Sequence, residues 1–153
     1  QYGLDLGMRY KGFEFNAFLQ GQTKAEAPVA WGVWNDMFGN IFEYYYTKRW
    51  TEDNKESNFP RAIQEKGDIY NQKESDFWLK DASFIRLKNL EIAYNLPSEW
   101  LSGINGKGLR LYVRGSNLLT FSPIKRFDPE IANEAGRYYP QTTTITAGIN
   151  INL

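Results

Sequence analysis

The chain has 153 residues, with 18 basic and 18 acidic side chains, no His and no Cys. These counts exclude a Ser-His-Asp or Cys-His nucleophile, a zinc site of the usual ligand types and a disulfide. The zero net charge argues against a general nucleic-acid binder, and no apolar run is long enough for a transmembrane helix. The unusual feature is an aromatic content of 16% in a chain whose mean hydropathy is −0.57. The chain starts at Gln1, with no Met and no charged-then-apolar leader, so no signal peptide is visible, and we interpret that start as a cut end.

Alternation of apolar and polar side chains is clearest at the start of the chain. Residues 2–10 are apolar at every even position and polar or Gly at every odd one, which predicts a strand with one apolar face. Lys11 and Gly12 form a turn signal, and a second alternating strand follows over residues 13–21. We therefore predict a β-hairpin over the first twenty-one residues.

The register of this hairpin follows from the parity of its side chains. Only a two-residue loop keeps Tyr10 and Phe13 on the same apolar face. The same loop places Arg9 opposite Glu14 on the polar face, so we predict that these two side chains are cross-strand neighbours.

Residues 22–83 have no sustained alternation and are predicted to form a long loop, with a helix over Asp36–Arg49 and an extended segment from Trp50 to Arg61. Almost half of the aromatic residues lie in this loop. Packing of the loop onto itself is the simplest interpretation, while contact with a partner protein and stacking on a sugar ring stay open. The candidate residues are Trp31, Trp34, Tyr44, Tyr45, Tyr46 and Trp50.

Strand patterns return in the second half of the chain. The predicted strands cover residues 84–96, 109–121 and 141–153, and a loop over residues 122–140 precedes the last one. In the first of these strands the parity of the apolar positions changes near Lys88 and Asn89, which predicts a β-bulge or the end of the patterned environment.

Connections between the five predicted strands are short and long in turn, which is typical of a transmembrane β-barrel with tight turns at one rim and long loops at the other. Tyr2 and Tyr10 stand at the two ends of the first apolar face, as in the aromatic girdles of such barrels. Hydrophilic residues in mid-strand suit a wet lumen. Five residues are predicted to face that lumen: Asp5, Arg9, Glu14, Arg110 and Arg114. With Glu91, the last two are expected to form a salt-bridge ladder rather than a solute path.

Several segments resemble, in the same order, the SusC/RagA-type TonB-linked outer membrane proteins. These segments are Leu79–Leu90, Arg114–Phe121, Phe127–Glu130 and Tyr139–Ile151, supported by the opening hairpin and by the segment from Trp50 to Arg61. The resemblance therefore covers nearly the whole chain.

This resemblance implies an all-β fold, in which residues 1–153 are the C-terminal five antiparallel strands of a transmembrane barrel of about 22 strands. The plug domain would lie outside this chain. Residues 22–83 and 122–140 would be extracellular loops, and residues 11–12 and 97–108 periplasmic turns. The implied location is the bacterial outer membrane, with lipid around the barrel wall.

The function implied by the resemblance is import of oligosaccharides or other large nutrients, peptides included. The implied partners are a SusD-like surface lipoprotein and the TonB complex, which acts through segments upstream of this chain. No cofactor, metal site or catalytic residue is expected, and the sequence leaves the substrate open.

Two alternatives come from other functional classes. A soluble all-β carbohydrate-binding module would use the loop aromatics as a platform, and it would fractionate with the aqueous phase. A glycoside hydrolase would need two carboxylates facing a cleft. The pairs Asp128 with Glu130 and Glu52 with Asp53 are one or two residues apart on loops, and that spacing does not indicate catalysis.

Overall fold

A computed structural model describes residues 1–28, 43–61, 75–97, 99–100, 108–125, 127–130, 139 and 141–152. The chain divides into two compact units. The first unit comprises Gln1–Ala25, Ala82–Pro129 and Pro140–Leu153, and the second comprises Glu26–Asp81 and Glu130–Tyr139. Within these ranges no helix has the length and apolar character that crossing a membrane requires.

The described elements are seven strands and one helix. In chain order they are β1 (Tyr2–Tyr10), β2 (Phe13–Gln22), β3 (Glu26–Pro28), α1 (Glu43–Lys48), β4 (Leu79–Asp81), β5 (Phe84–Leu96), β6 (Gly108–Phe121) and β7 (Thr144–Asn152). Five of them form one antiparallel sheet in the order β1-β2-β5-β6-β7. The period-2 pattern predicted these five strands, and the largest difference is at β7, which begins three residues later than expected.

The sheet has one apolar and one polar face over most of its width. Register pairs such as Phe15 with Ile92 and Ile92 with Val113 place the apolar residues of neighbouring strands side by side. This face is exposed: Met8 is 64% and Ile145 71% accessible. Sheets of water-soluble proteins bury such a face against another layer, so the exposed face requires an apolar environment.

The hairpin between β1 and β2 has the predicted register. Arg9 pairs with Glu14, and Tyr10 pairs with Phe13. Both turn residues have positive φ, 46° at Lys11 and 87° at Gly12, as a two-residue type I′ turn requires. A Cβ at Gly12 would lie 2.8 Å from the backbone oxygen of Asn95, so glycine is needed there for space as well as for φ.

A β-bulge interrupts β5 at Lys88, as the change of parity predicted. Asn89 pairs with Phe18 of β2 and Leu87 pairs with Leu19, so Lys88 has no Cα partner on that strand. Because side chains alternate, the extra residue moves Arg86 to the polar face and leaves Leu87 on the apolar one. Without the bulge the parity of Arg86 would place it on the apolar face.

The second unit holds structure that the alternation did not predict. Strands β3 and β4 form a two-stranded antiparallel sheet inside the segment that was expected to be a loop. The predicted helix over Asp36–Arg49 is confirmed as α1 for residues 43–48, and residues 36–42 lie outside the described ranges. The segment from Trp50 to Arg61 is not extended: the Trp50 backbone N–H donates to the Phe59 carbonyl at 3.2 Å, which folds it back on itself.

Candidate functional site

The polar face of the sheet carries a connected set of charged side chains, which we call the polar-face ladder: Arg9, Glu14, Arg110, Glu91 and Arg114. Arg110 Nη2 donates to Glu14 Oε2 at 2.9 Å and to Glu91 Oε1 at 2.7 Å. Arg114 Nε donates to Glu91 Oε2 at 2.8 Å, and Arg9 Nε lies 3.5 Å from Glu14 Oε1. The ladder therefore connects four adjacent strands, β1, β2, β5 and β6.

Each carboxylate of the ladder is shared by two guanidinium groups. Glu14 also accepts a hydrogen bond from Asn95 Nδ2 at 3.0 Å, and both glutamates are largely shielded, with side chains 16% and 14% accessible. Arg114 is more than half exposed. Hydrogen bonds to charged partners are stronger than neutral ones and fix geometry. The ladder thus keeps a hydrophilic, rigid surface in mid-sheet and leaves neither glutamate free to act as a general base.

A groove of about 550 Å³ lies beside the ladder on the same face. Its lining combines carboxylate, amide, guanidinium and aromatic groups: Asp5, Asn16, Ala17, Phe18, Asn89, Glu91 and Arg114. Asp5 makes no ion pair with any residue in the described ranges. All five residues predicted to face a lumen share this polar face, and that the face lines a lumen stays a prediction.

Above the bulge, Arg86 forms a second polar cluster, which we call the Arg86 node. Its side chain is 2% accessible. Nε donates to Thr120 Oγ1 at 2.9 Å, Nη1 to Gln141 Oε1 at 2.7 Å and Nη2 to Asp128 Oδ1 at 2.7 Å. The sequence pattern missed this node as a site, although the break in parity at Lys88 was the signal that placed Arg86 on the polar face.

The loop aromatics have different environments. Tyr44 and Tyr45 pack edge-on with Phe59, and Tyr45 is buried with Trp78. For these two tyrosines the structure supports packing of the loop onto itself. Tyr46 is 52% accessible, and the Arg49 guanidinium lies 3.9 Å from its ring centre.

Contact with a partner or substrate stays a prediction for the remaining aromatic candidates. Trp50 is half-buried in the folded-back segment. Trp31 and Trp34 lie outside the described residues.

The surroundings of Asp128, Glu52 and Asp53 are not those of a catalytic carboxylate pair. Asp128 is engaged by Arg86, and Glu52 and Asp53 are exposed in a turn between residues 51 and 54. Across the described ranges no three or more Asp and Glu side chains come together as a metal site.

Comparison with known proteins gives the relatives of this chain. The chain is 31% identical to TonB-dependent receptor P26 of Formosa agariphila, over 98% of this chain and 16% of the receptor. It is 24% identical to TonB-dependent receptor SusC of Bacteroides thetaiotaomicron, over 97% of this chain and 14% of that receptor. No family model matches the sequence.

A solved structure gives the same assignment. The chain superposes on the RagAB peptide importer in its open-open state with a TM-score of 0.74 and 31% identity, covering 99% of this chain and 17% of the matched chain. The five-stranded sheet is thus a section of the wall of a TonB-dependent transporter barrel. Its described strands do not close a barrel by themselves.

The sheet has one exposed apolar face and one polar face. Together with these matches, this fold defines a class of protein, the TonB-dependent receptors. Within that class the chain belongs to the SusC/RagA family. It spans about one sixth of the length of the relatives that it matches. The relatives are named as receptors and importers rather than enzymes.

Proposed function

We propose that this chain is the C-terminal wall segment of an outer membrane, TonB-dependent nutrient importer. The observation that carries the proposal is the division of the sheet into two faces. One face exposes large apolar side chains such as Leu4 and Ile145, and the other holds the polar-face ladder. Lipid on the first face and a water-filled or plug-filled lumen on the second satisfy both.

The complete importer requires parts that this chain does not supply. A barrel of about 22 strands leaves no unpaired edge in lipid, whereas β1 and β7 each have one free edge in the described sheet. We assign the remaining strands, the plug and the segment that meets the TonB complex to the full-length protein.

The proposed cargo is an oligosaccharide or a peptide, captured together with a SusD-like surface lipoprotein. The family supports the partner, because a SusC receptor and the RagAB importer are among its relatives. RagAB is described as a peptide importer. Nothing in the described residues of this chain favours a peptide over an oligosaccharide. Growth of a deletion strain on single glycans and on peptide mixtures, with and without the complementing gene, separates the two.

The orientation of the strands gives the sharpest test. Residues 22–83 are proposed to be extracellular and the turn at residues 11–12 periplasmic. This chain has no Cys, and Lys11 and Glu56 are both exposed, so Lys11→Cys and Glu56→Cys in the full-length receptor form a matched pair. A membrane-impermeant maleimide is expected to label Glu56→Cys but not Lys11→Cys in intact cells, and both after permeabilisation.

Two outcomes would overturn the proposal. The reverse labelling pattern would invert the topology. Recovery of the native full-length protein in the aqueous phase, instead of in detergent-extracted outer membranes, would favour the soluble carbohydrate-binding alternative. The parent receptor without introduced cysteines controls for labelling elsewhere in the full-length chain.

A further inference from the structure

The Arg86 node brings together residues that are far apart in the sequence. Arg86 lies on β5 and Thr120 near the end of β6, while Asp128 and Gln141 lie near the two ends of the loop over residues 122–140. Each of the three guanidinium nitrogens donates a hydrogen bond to a different segment. Phe84, on the same strand, places its ring centre 5.5 Å from the guanidinium carbon.

Burial makes this arrangement specific. The Arg86 side chain is 2% accessible and that of Asp128 is 10% accessible. A charged group is buried at this depth only when its charge is compensated and its donors are satisfied. Asp128 supplies the charge, and the neutral oxygens of Thr120 and Gln141 satisfy the other two nitrogens. Replacing Asp128 or Gln141 therefore removes an acceptor that a buried guanidinium nitrogen uses.

Pairing between β6 and β7 does not reach the base of this loop, although β6 stays paired with β5 as far as Phe121. The β6–β7 register ends at Ser116 with Thr144, several residues before the loop itself begins on either strand. Between that pair and the Arg86 node, Asn117 Nδ2 donates to the Thr142 carbonyl at 3.2 Å, and Thr143 Oγ1 donates to the Asn117 carbonyl at 2.8 Å. Beyond Ser116 and Thr144, side-chain hydrogen bonds therefore replace backbone pairing between these two segments.

We propose that Arg86 is a positioning residue that fixes the segments around Asp128 and Gln141, at the two ends of the loop over residues 122–140, against the polar face of the sheet for contact with cargo. This rests on the proposed function, which makes the loop extracellular. All four segments listed for the resemblance, Leu79–Leu90, Arg114–Phe121, Phe127–Glu130 and Tyr139–Ile151, meet at this one guanidinium.

The test uses variants of the full-length receptor in detergent. Arg86→Met alone removes the cation beside the largely buried Asp128 carboxylate, and it can block folding for that reason. The double variant Arg86→Met with Asp128→Leu removes both charges while retaining side-chain volume, so the barrel is expected to assemble. Gln141→Ala is a milder companion, and Arg114→Met removes a guanidinium from the polar-face ladder as the matched control.

Limited trypsin digestion reports on the loop, because Lys125 and Arg126 lie within it. In the double variant, cleavage at these sites is expected to be at least about tenfold faster than in the parent, since cleavage follows the population of the open loop. Arg114→Met is expected to be cleaved at the parental rate. Mobility in gel electrophoresis without heating measures barrel assembly independently.

Three outcomes would overturn the proposal. Cleavage of the double variant at the parental rate would mean that the node does not hold the loop. Loss of assembly in both the double variant and Gln141→Ala would mean that the node serves barrel formation instead. The third is an unchanged half-saturating concentration for the double variant, in complemented cells growing on the glycan or peptide that the deletion strain cannot use. Loss of a positioning residue is expected to raise that concentration while keeping the maximal rate. Failure of the proposed topology would show separately, in the maleimide labelling.

Discussion

Replacing Glu91 by Gln tests whether the polar-face ladder stabilises the sheet. Glu91 is its central acceptor: Oε1 receives Arg110 Nη2 at 2.7 Å, and Oε2 receives Arg114 Nε at 2.8 Å. Glutamine keeps one acceptor oxygen of the same reach but presents an NH₂ group to the second guanidinium. Arg110 retains Glu14, and Arg114 is more than half exposed to solvent, so the substitution leaves no shielded cation without a carboxylate.

The magnitude follows from the exposure of the two partners. The bond to the partly buried Arg110 is of the charge-assisted kind and contributes about 1.5–3 kcal/mol. Arg114 is 57% accessible, so its pair with Glu91 contributes only about 0.2–1 kcal/mol after screening by solvent. Since Gln retains part of the first interaction, we expect Glu91→Gln to lower the free energy of unfolding by about 2 kcal/mol.

Urea unfolding of the full-length receptor in detergent, followed by tryptophan fluorescence, measures this change. A lower midpoint with an unchanged slope indicates lost stability rather than an altered unfolded state. The matched control is Asp5→Asn, which neutralises a carboxylate on the same face that makes no ion pair within the described ranges; its effect is expected to stay within about 0.5 kcal/mol. Equal midpoints for the two variants would refute the reasoning, because the ladder would then add nothing beyond a surface charge.

Three further predictions concern other parts of the chain. Gly12→Ala is expected to cost about 2 kcal/mol or more in the same urea assay, because φ is 87° and the Cβ meets a backbone oxygen, whereas Lys11→Gly at φ 46° should be neutral or stabilising. Deleting Lys88 should abolish the fast-migrating folded form in unheated gels because Arg86 moves to the apolar face, while Lys88→Ala should retain it. Trp78→Ala should destabilise the second unit by about 3–5 kcal/mol, seen as faster tryptic cleavage around residues 48–49 with barrel mobility unchanged.

Local rules predict the hairpin and the five long strands because each depends on short-range sequence. The parity of side chains fixes the face, and a two-residue turn fixes the register, so the pairing of Arg9 with Glu14 follows from four residues of sequence around the turn. The ladder is then nearly determined, since Glu91, Arg110 and Arg114 share the polar parity of their own strands.

Other features depend on contacts that no local pattern contains. Strands β3 and β4 have three residues each, too few for a period-2 pattern to show. Tyr45 and Trp78 are buried in one cluster. The predicted helix over residues 36–49 includes Tyr45, but no local pattern relates it to Trp78. The sequence indicated that the loop aromatics would pack together, and it could not say which of them would be buried.

The bulge at Lys88 explains how one strand satisfies two environments. Below it, Ile92 and Leu90 face the apolar side; above it, Leu87 keeps that side while Arg86 turns to the polar one. If the strand alternated strictly, Arg86 would lie on the apolar face with Leu90 and Ile92. A cation there would have no polar partner. The bulge therefore places the buried Arg86 on the polar face, where Asp128 and Gln141 at the two ends of the loop over residues 122–140 reach it.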